Sequence, residues 1–241
     1  MRRTFFRAAL AAATLAAAVF PALAVAQVIG LGDQTKSPLV APTCPPNVKP
    51  AQCTIILTRD TALATIRDGV SYPTMVHRAG RIVSFTLGLS NLSSNSSTRK
   101  RDINYLNQTY GGDAQVEITV LKRVSKKGQH WQVVASSGVW HVVQYLGSVA
   151  QIPLLKTIEV RPGETIALTT PTWAPVLSIQ QPSGNAYRQA RGSHPNCGSP
   201  ATSQQAQKVG QKSNYPCKYA GTRIEYAATE VTYPPASNPV R

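Results

Sequence analysis

Thr157-Ile-Glu-Val-Arg-Pro-Gly-Glu-Thr-Ile-Ala-Leu-Thr-Thr-Pro-Thr-Trp-Ala-Pro-Val-Leu-Ser-Ile179 is the stretch on which the class of this chain turns. Ile158 and Val160 alternate with Thr157, Glu159 and Arg161, the period of a half-buried strand. Pro162-Gly163 supplies a type II turn, proline presetting the first central dihedral and glycine accepting positive φ at the second. Ile166 and Leu168 resume the alternation against Thr165, Ala167 and Thr169. Pro171 and Pro175 bracket Trp173 and each removes a ladder donor, so a bend is expected there before a further strand at Val176, Leu177 and Ile179. No helical period fits, and the stretch reads as the middle of an antiparallel sheet.

Strands of the same kind recur on both sides. Upstream, a short apolar run at Thr54 to Thr58 is followed by Val83, Phe85, Leu87 and Leu89 in strict alternation, then by Val116, Ile118 and Val120. Lys126-Lys127-Gly128-Gln129 turns the chain into Trp131 to Ala135, and Val139 to Val143 places Trp140 and His141 on opposite faces. Downstream, Arg223 to Tyr233 is the last strand. Its inward set changes parity between Ala228 and Val231, which predicts a bulge near 227–229. Three segments break the pattern. Leu63 and Ile66 allow one short helix over 60–68. Ser93 to Asp102 is polar, ends in Arg99-Lys100-Arg101 and reads as a mobile loop. Gln181 to Pro216 has no stable period and reads as a long functional loop. The fold class is therefore all-β: a two-sheet antiparallel sandwich, jelly-roll-like, with disulfide-stapled loops.

Residues 1–26 read as a signal peptide: Arg2, Arg3 and Arg7, an apolar run from Ala8 to Phe20, and Ala24-Val25-Ala26 as the cleavage motif. Arg2-Arg3-Thr4-Phe5-Phe6-Arg7 also resembles a twin-arginine export signal. The expected layout is this leader, a proline-rich arm over 27–53, one sandwich domain over 54–233 and a loose tail over 234–241. Without the three leader arginines, 22 of the 25 basic side chains face 10 acidic ones, a net of +12. Such a charge outside a cell favours polyanions: acidic glycans, wall polymers, anionic lipid surfaces or nucleic acid. No specific nucleic-acid motif is present, and no second hydrophobic run is long enough for a transmembrane segment after the leader. Cys44, Cys53, Cys197 and Cys217 are even in number and expected as disulfides. Of three pairings, Cys44–Cys53 and Cys197–Cys217 keep each bridge within one Pro/Gly-rich loop.

The chemistry-bearing motifs are few. There is no Gly-x-Ser-x-Gly elbow, no Cys-x-x-Cys and no Cys-x-His-x-Met cluster, so no catalytic residue, metal or cofactor is assigned. Glu117 and Glu225 fall opposite the apolar faces of their strands and read as solvated. Three Asn-x-Ser/Thr sequons, at Asn91, Asn95 and Asn107, read as chance in a chain whose alanine-rich leader looks bacterial. The candidate binding residues are Tyr187, Arg188, Arg191 and His194, joined by Arg99, Lys100 and Arg101, because aromatics among cations stack on rings while the cations hold anions. Lys122-Arg123, Lys126-Lys127, Lys208, Lys212 and Lys218 are further cations whose placement decides whether one basic face exists.

Tyr110-Gly-Gly-Asp113, the 161–175 stretch and the final Arg223-Ile-Glu-Tyr226 together resemble a group of uncharacterised exported β-sandwich proteins of actinobacterial type. The resemblance covers most of the chain after the leader. It implies a fold and a compartment but no activity and no functional residues. The expected function is non-enzymatic association with anionic envelope or extracellular material, such as an acidic glycan or wall polymer. The alternatives are a polymer hydrolase on the same scaffold and a purely structural envelope protein.

Overall fold

A computed structural model describes residues 25–33, 36–49, 52–125, 127–190, 197 and 204–234. The leader expected over 1–26 lies outside them apart from Val25 and Ala26, as does the tail apart from Pro234. Among the described residues the chain runs β1 (Val28–Leu31), β2 (Leu57–Arg67), β3 (Val70–Ser71), β4 (Gly80–Gly88), α1 (Ser96–Tyr110), β5 (Gln115–Arg123), β6 (His130–Ser136), β7 (Trp140–His141) and β8 (Val149–Val160). It continues through β9 (Glu164–Ala174), β10 (Leu177–Ser178), β11 (Ala186–Gln189), β12 (Lys212–Asn214), β13 (Cys217–Ala220), β14 (Arg223–Ile224) and β15 (Tyr226–Thr232).

Among the described residues two larger antiparallel sheets face one another, and β10 and β14 pair as a separate two-stranded piece. The smaller has the order β1-β15-β4-β8, and the larger the order β12-β6-β5-β9-β2-β11-β13, with β3 and β7 on its margins. The all-β sandwich expected from the alternation is present. The Pro162-Gly163 turn has the expected form, with Gly163 at φ 85° and Glu164 N–H donating to the Arg161 carbonyl at 3.1 Å. It does not, however, make a hairpin. β8 pairs with β4 and β9 pairs with β5 and β2, so the turn carries the chain from one sheet to the other. β9 is the centre of the larger sheet, as the sequence suggested.

The core between the sheets holds Ile82, Phe85 and Leu87 of β4, Val116, Ile118 and Val120 of β5, and Ile166 and Leu168 of β9. Trp173 is fully buried, and its indole N–H reaches Asn107 Oδ1 at 3.0 Å and the Gly112 carbonyl at 3.1 Å. The larger sheet is also covered on its outer face. Leu63, Leu121, Trp131, Val133 and Ala167 form a second cluster there, closed over by Ala190 and Tyr215. Thr165, Ala167 and Thr169 therefore do not face water, and β9 is buried along nearly its whole length. The hydroxyls solve their own burial. Thr61 and Thr169 lie 2.8 Å apart, Thr169 and Thr119 2.6 Å, forming a cross-strand chain that leaves these groups paired.

Four expectations are corrected. Residues 60–68 are not helical: β2 runs on to Arg67 and Asp68 starts the turn after it, because both faces of that strand are buried and the alternation is masked. The polar segment after Ser93 is not a mobile loop but enters α1. Asn95 caps the helix, its Oδ1 accepting from Thr98 N–H at 2.9 Å, and Gly111 ends it at φ 81° with its N–H on the Asn107 carbonyl. Replacing Asn95 with alanine is expected to cost about 1 kcal/mol in a denaturation midpoint, the usual worth of such a cap. The long segment 181–216 is not loop throughout, since β11 and β12 lie inside it. Finally, β15 carries no extra residue. The register shift at Thr229/Glu230 arises because Val83 of β4 has no counterpart, and positions 226, 228, 230 and 232 stay buried in unbroken alternation.

Both disulfides are those expected, Cys44–Cys53 and Cys197–Cys217. The second closes a loop worth roughly 3 kcal/mol through restriction of the unfolded chain.

Candidate anion-binding corner

The sequence clusters Lys122-Arg123, Lys127, Lys208 and Lys212 meet at one corner of the larger sheet. Lys212 pairs with Gln132 across β12 and β6, and Gln132 pairs with Lys122 across β6 and β5. Cross-strand partners share a face, so the two lysines flank one glutamine at a spacing of about 10 Å, two inter-strand steps. In the next row Trp131 pairs with Arg123 on one side and Ser213 on the other, and the Arg123 guanidinium sits 5.3 Å from the Trp131 ring centre. That row points to the other face, so the cations straddle the end of the hairpin.

The local fold follows from short signals. Gly128 adopts φ 75° at the hairpin, and Val124 N–H closes it on the His130 carbonyl at 3.1 Å. The 208–211 turn is tied to β6, Gly210 N–H donating to Val133 O at 2.8 Å and Gln132 Nε2 donating to Gly210 O at 3.2 Å. This brings Lys208 beside the same strands. Lys122, Arg123, Lys127, Lys208 and Lys212 are all exposed, and none forms an ion pair among the described residues. No Asp or Glu occurs in 118–140 or 204–222. The nearest carboxylate in the row, Glu164, is buried and accepts Arg161 N–H at 2.8 Å.

The residues favoured from the sequence fare differently. Tyr187 is buried and stacks on Tyr219 at 4.8 Å. Arg188 donates to the carbonyls of Tyr215 and Pro216 at 3.0 and 2.8 Å. Both belong to β11, so they stabilise the sheet margin rather than sit on an open loop. Arg191 and His194 lie outside the described residues. Arg99 is on α1 and donates to Asn91 Oδ1 at 2.6 Å, Arg101 lies 3.5 Å from Asp102, and Lys100 is exposed. α1 packs at the Trp173 end of β9, whereas Lys122 pairs with Glu164 at its start. The two basic groups are thus about 30 Å apart along that strand. Lys218 is on β13, at the far edge of the sheet.

The carboxylates are placed unevenly. Asp60, Glu164, Glu225 and Glu230 are buried, which leaves the surface more basic than the net charge indicates. Glu225 was expected on a solvated face; it is fully buried, with Arg223 Nε 3.2 Å from its Oε2 and Val40 N–H at 3.4 Å. Burial pushes its pKa up, and the Arg223 charge pulls it back. Arg223 also holds the Ser37 and Pro38 carbonyls, and Arg67 donates to those of Gly32, Ile224 and Tyr226. This charged knot fastens the N-terminal arm; it offers no open site.

Glu230 is fully buried, and neither oxygen has a hydrogen-bond partner among the described residues. Burial raises its pKa. A raised folded-state value means the native state binds the proton more tightly than the unfolded chain. Stability therefore falls as pH climbs from the ordinary carboxylate range through the folded value. Glu230→Leu is expected to add about 2 kcal/mol at pH 7, the cost of an unsatisfied buried polar group, and less at pH 4. Urea melts at the two pH values check this; an unstable variant or equal gains would overturn it.

His141 Nδ1 lies 2.9 and 3.0 Å from the two oxygens of Asp113, and Gln115 Nε2 donates to the same carboxylate at 3.2 Å. Glu117, on the same strand face, accepts from Ser136. Sequence reading placed His141 on a strand face but gave no reason to join it to Asp113. No group of three metal-ligating side chains occurs among the described residues. All three sequon asparagines also have structural employment, Asn91 on Arg99, Asn95 as the helix cap and Asn107 on Trp173. No protein-family model matches this chain, and comparison with curated proteins and with solved structures gives no match.

Proposed function

We propose that this protein is an exported, basic β-sandwich that associates with anionic polymer of the cell envelope or its surroundings. The observation that carries the reading is the corner at β5, β6 and β12: five exposed cations, three on the β5–β6 hairpin and two on the 208–212 segment beside it, none in an ion pair among the described residues, while the one carboxylate in the row, Glu164, is buried and taken up by Arg161 N–H. Repeated anions along a chain, as in an acidic glycan or a phosphate-linked wall polymer, suit a row of lysines with a hydrogen-bonding amide between. Paired acids elsewhere in the surface do not compete for these cations. The two disulfides fit an oxidising compartment, and no helix among the described residues is long and apolar enough to cross a membrane.

Retention of the purified protein on immobilised polyanion at low salt, with loss as salt rises past about 0.15 M, is the expected result. Passage through such a matrix unretained at low salt would refute the proposal. A second reading, hydrolysis of an extracellular polymer, has one observation in its favour: Asp113 orients His141 and leaves Nε2 facing away from the carboxylate. His141→Ala is its test. Turnover of an acidic polysaccharide that disappears in that variant would move the protein into the enzyme class.

A further inference from the structure

Gln27 is the residue that follows Ala24-Val25-Ala26, and the residues around that bond are open: Val25, Ala26, Gln27 and Val28 are all exposed. Gln27 is tied to β15 by its main chain. Gln27 N–H donates to Thr232 Oγ1 at 3.0 Å, Thr232 N–H donates to the Gln27 carbonyl at 2.8 Å, and β1 then pairs with β15 from Val28↔Val231. The Gln27 side chain is held as well, its Oε1 accepting from Arg78 at 2.7 Å. The residue that processing would make the first one is thus held at its amide, its carbonyl and its side chain.

We propose that the processed chain begins at Gln27 and that Gln27 is converted to pyroglutamate. The inference rests on the leader reading of residues 1–26 and is independent of polyanion binding. The freed α-amine adds to its own Cδ, the N–Cδ bond forms, the Cδ–Nε2 bond breaks, and one ammonia leaves with the displaced proton. No oxidant or further reactant enters.

Each contact seen at Gln27 has a counterpart in the product. The lactam keeps one N–H for Thr232 Oγ1, keeps the main-chain carbonyl that receives Thr232 N–H, and keeps Oε1 on the ring carbon. Only the Nε2 group is lost, and it makes no hydrogen bond among the described residues. The alternative, a free terminal ammonium, would place a positive charge beside the Arg78 guanidinium. Arg78 also sits on the oxygen where negative charge gathers as the amine adds, the position of an oxyanion donor. Arg78 is therefore assigned a promoting role. The ring would leave the exposed start of β1 without an amine for aminopeptidases to grip.

Mass spectrometry of the N-terminal peptide of the exported protein tests this. The expected peptide starts at Gln27 and is lighter by one ammonia than the open-chain form. Gln27→Glu, whose carboxylate cyclises far more slowly, is expected to retain a free amine. Arg78→Ala is expected to raise the uncyclised fraction at harvest about tenfold, less than a buried oxyanion donor gives because this site is exposed. A chain that starts elsewhere would overturn the leader reading and the modification together. A chain that starts at Gln27 with a free amine would overturn the modification alone. An uncyclised fraction unchanged in Arg78→Ala would remove the role given to Arg78.

Discussion

Replacing Trp173 with alanine is expected to destabilise the protein by about 4 kcal/mol, the range found when a buried tryptophan is truncated. The side chain is fully buried in the core between the sheets, near the end of the central strand β9. Its loss opens a cavity that the flanking strands cannot fill without shifting the ladder. A second cost comes from the indole N–H. Asn107 Oδ1 and the Gly112 carbonyl both rely on it, and both belong to the last turn and cap of α1. Trp173→Phe separates the two contributions: it keeps most of the packing and is expected to cost roughly 1 to 2 kcal/mol for the unpaired acceptors. Urea denaturation of the oxidised protein, with the slope unchanged between variants, measures both. A loss below about 1 kcal/mol for the alanine variant would show that α1 and β9 are not joined through this side chain.

How far the sequence could be read depended on whether a face was truly half-buried. β4 and β5 pack one face on the core, so alternation at Phe85, Leu87, Val116 and Ile118 reported them directly. β2 and β9 are covered on both faces. In β2 buried Asp60, Thr61 and Thr65 sit among Ala62, Leu63 and Ala64, so no alternation showed; in β9 Ile166 and Leu168 still alternate with threonines and an alanine, which made the strand legible but hid that its outer face is covered too. The disulfide pairing was legible because each bridge is local, 9 and 20 residues apart. α1 was missed for a different reason. Its exposed surface is polar all round and only Leu106 is buried, so the apolar signal was faint. Asn95 at the start and Gly111-Gly112 at the end were the cues available.

For the site, type and place came apart. The cations were visible, but their grouping was set by strand pairing between residues about eighty positions apart, Lys122 and Lys212 on either side of Gln132. Long-range register of this kind leaves no trace in local composition. Tyr187 and Arg188 had the right chemistry for a ligand, yet β11 spends them on Tyr219 and on two carbonyls. Glu225 and Glu230 occupy buried positions that an alternation rule assigns from residue type alone, and both were misplaced or left unplaced for that reason.

Lys122→Glu combined with Lys212→Glu is expected to weaken polyanion binding about thirtyfold at low salt. Two exposed attractions are removed and two repulsions added, each worth roughly 0.5 kcal/mol, for a total of about 2 kcal/mol. The two side chains share a face with Gln132 between them, so a bound chain of regular anions meets both changes at once. Neither lysine contributes to the core, and the fold is expected to melt unchanged. The decisive comparison is a second pair, Arg81→Glu with Arg161→Glu, both exposed and both on the smaller sheet or its turn. It alters net charge by the same amount at a different place. If binding followed total charge, the two variants would weaken alike, and the corner would be no more than part of a uniformly basic surface. If binding follows the corner, the Arg81/Arg161 pair keeps most of its affinity while the Lys122/Lys212 pair loses it. The dependence on salt then flattens in the latter alone, because fewer ions are displaced when the polymer binds.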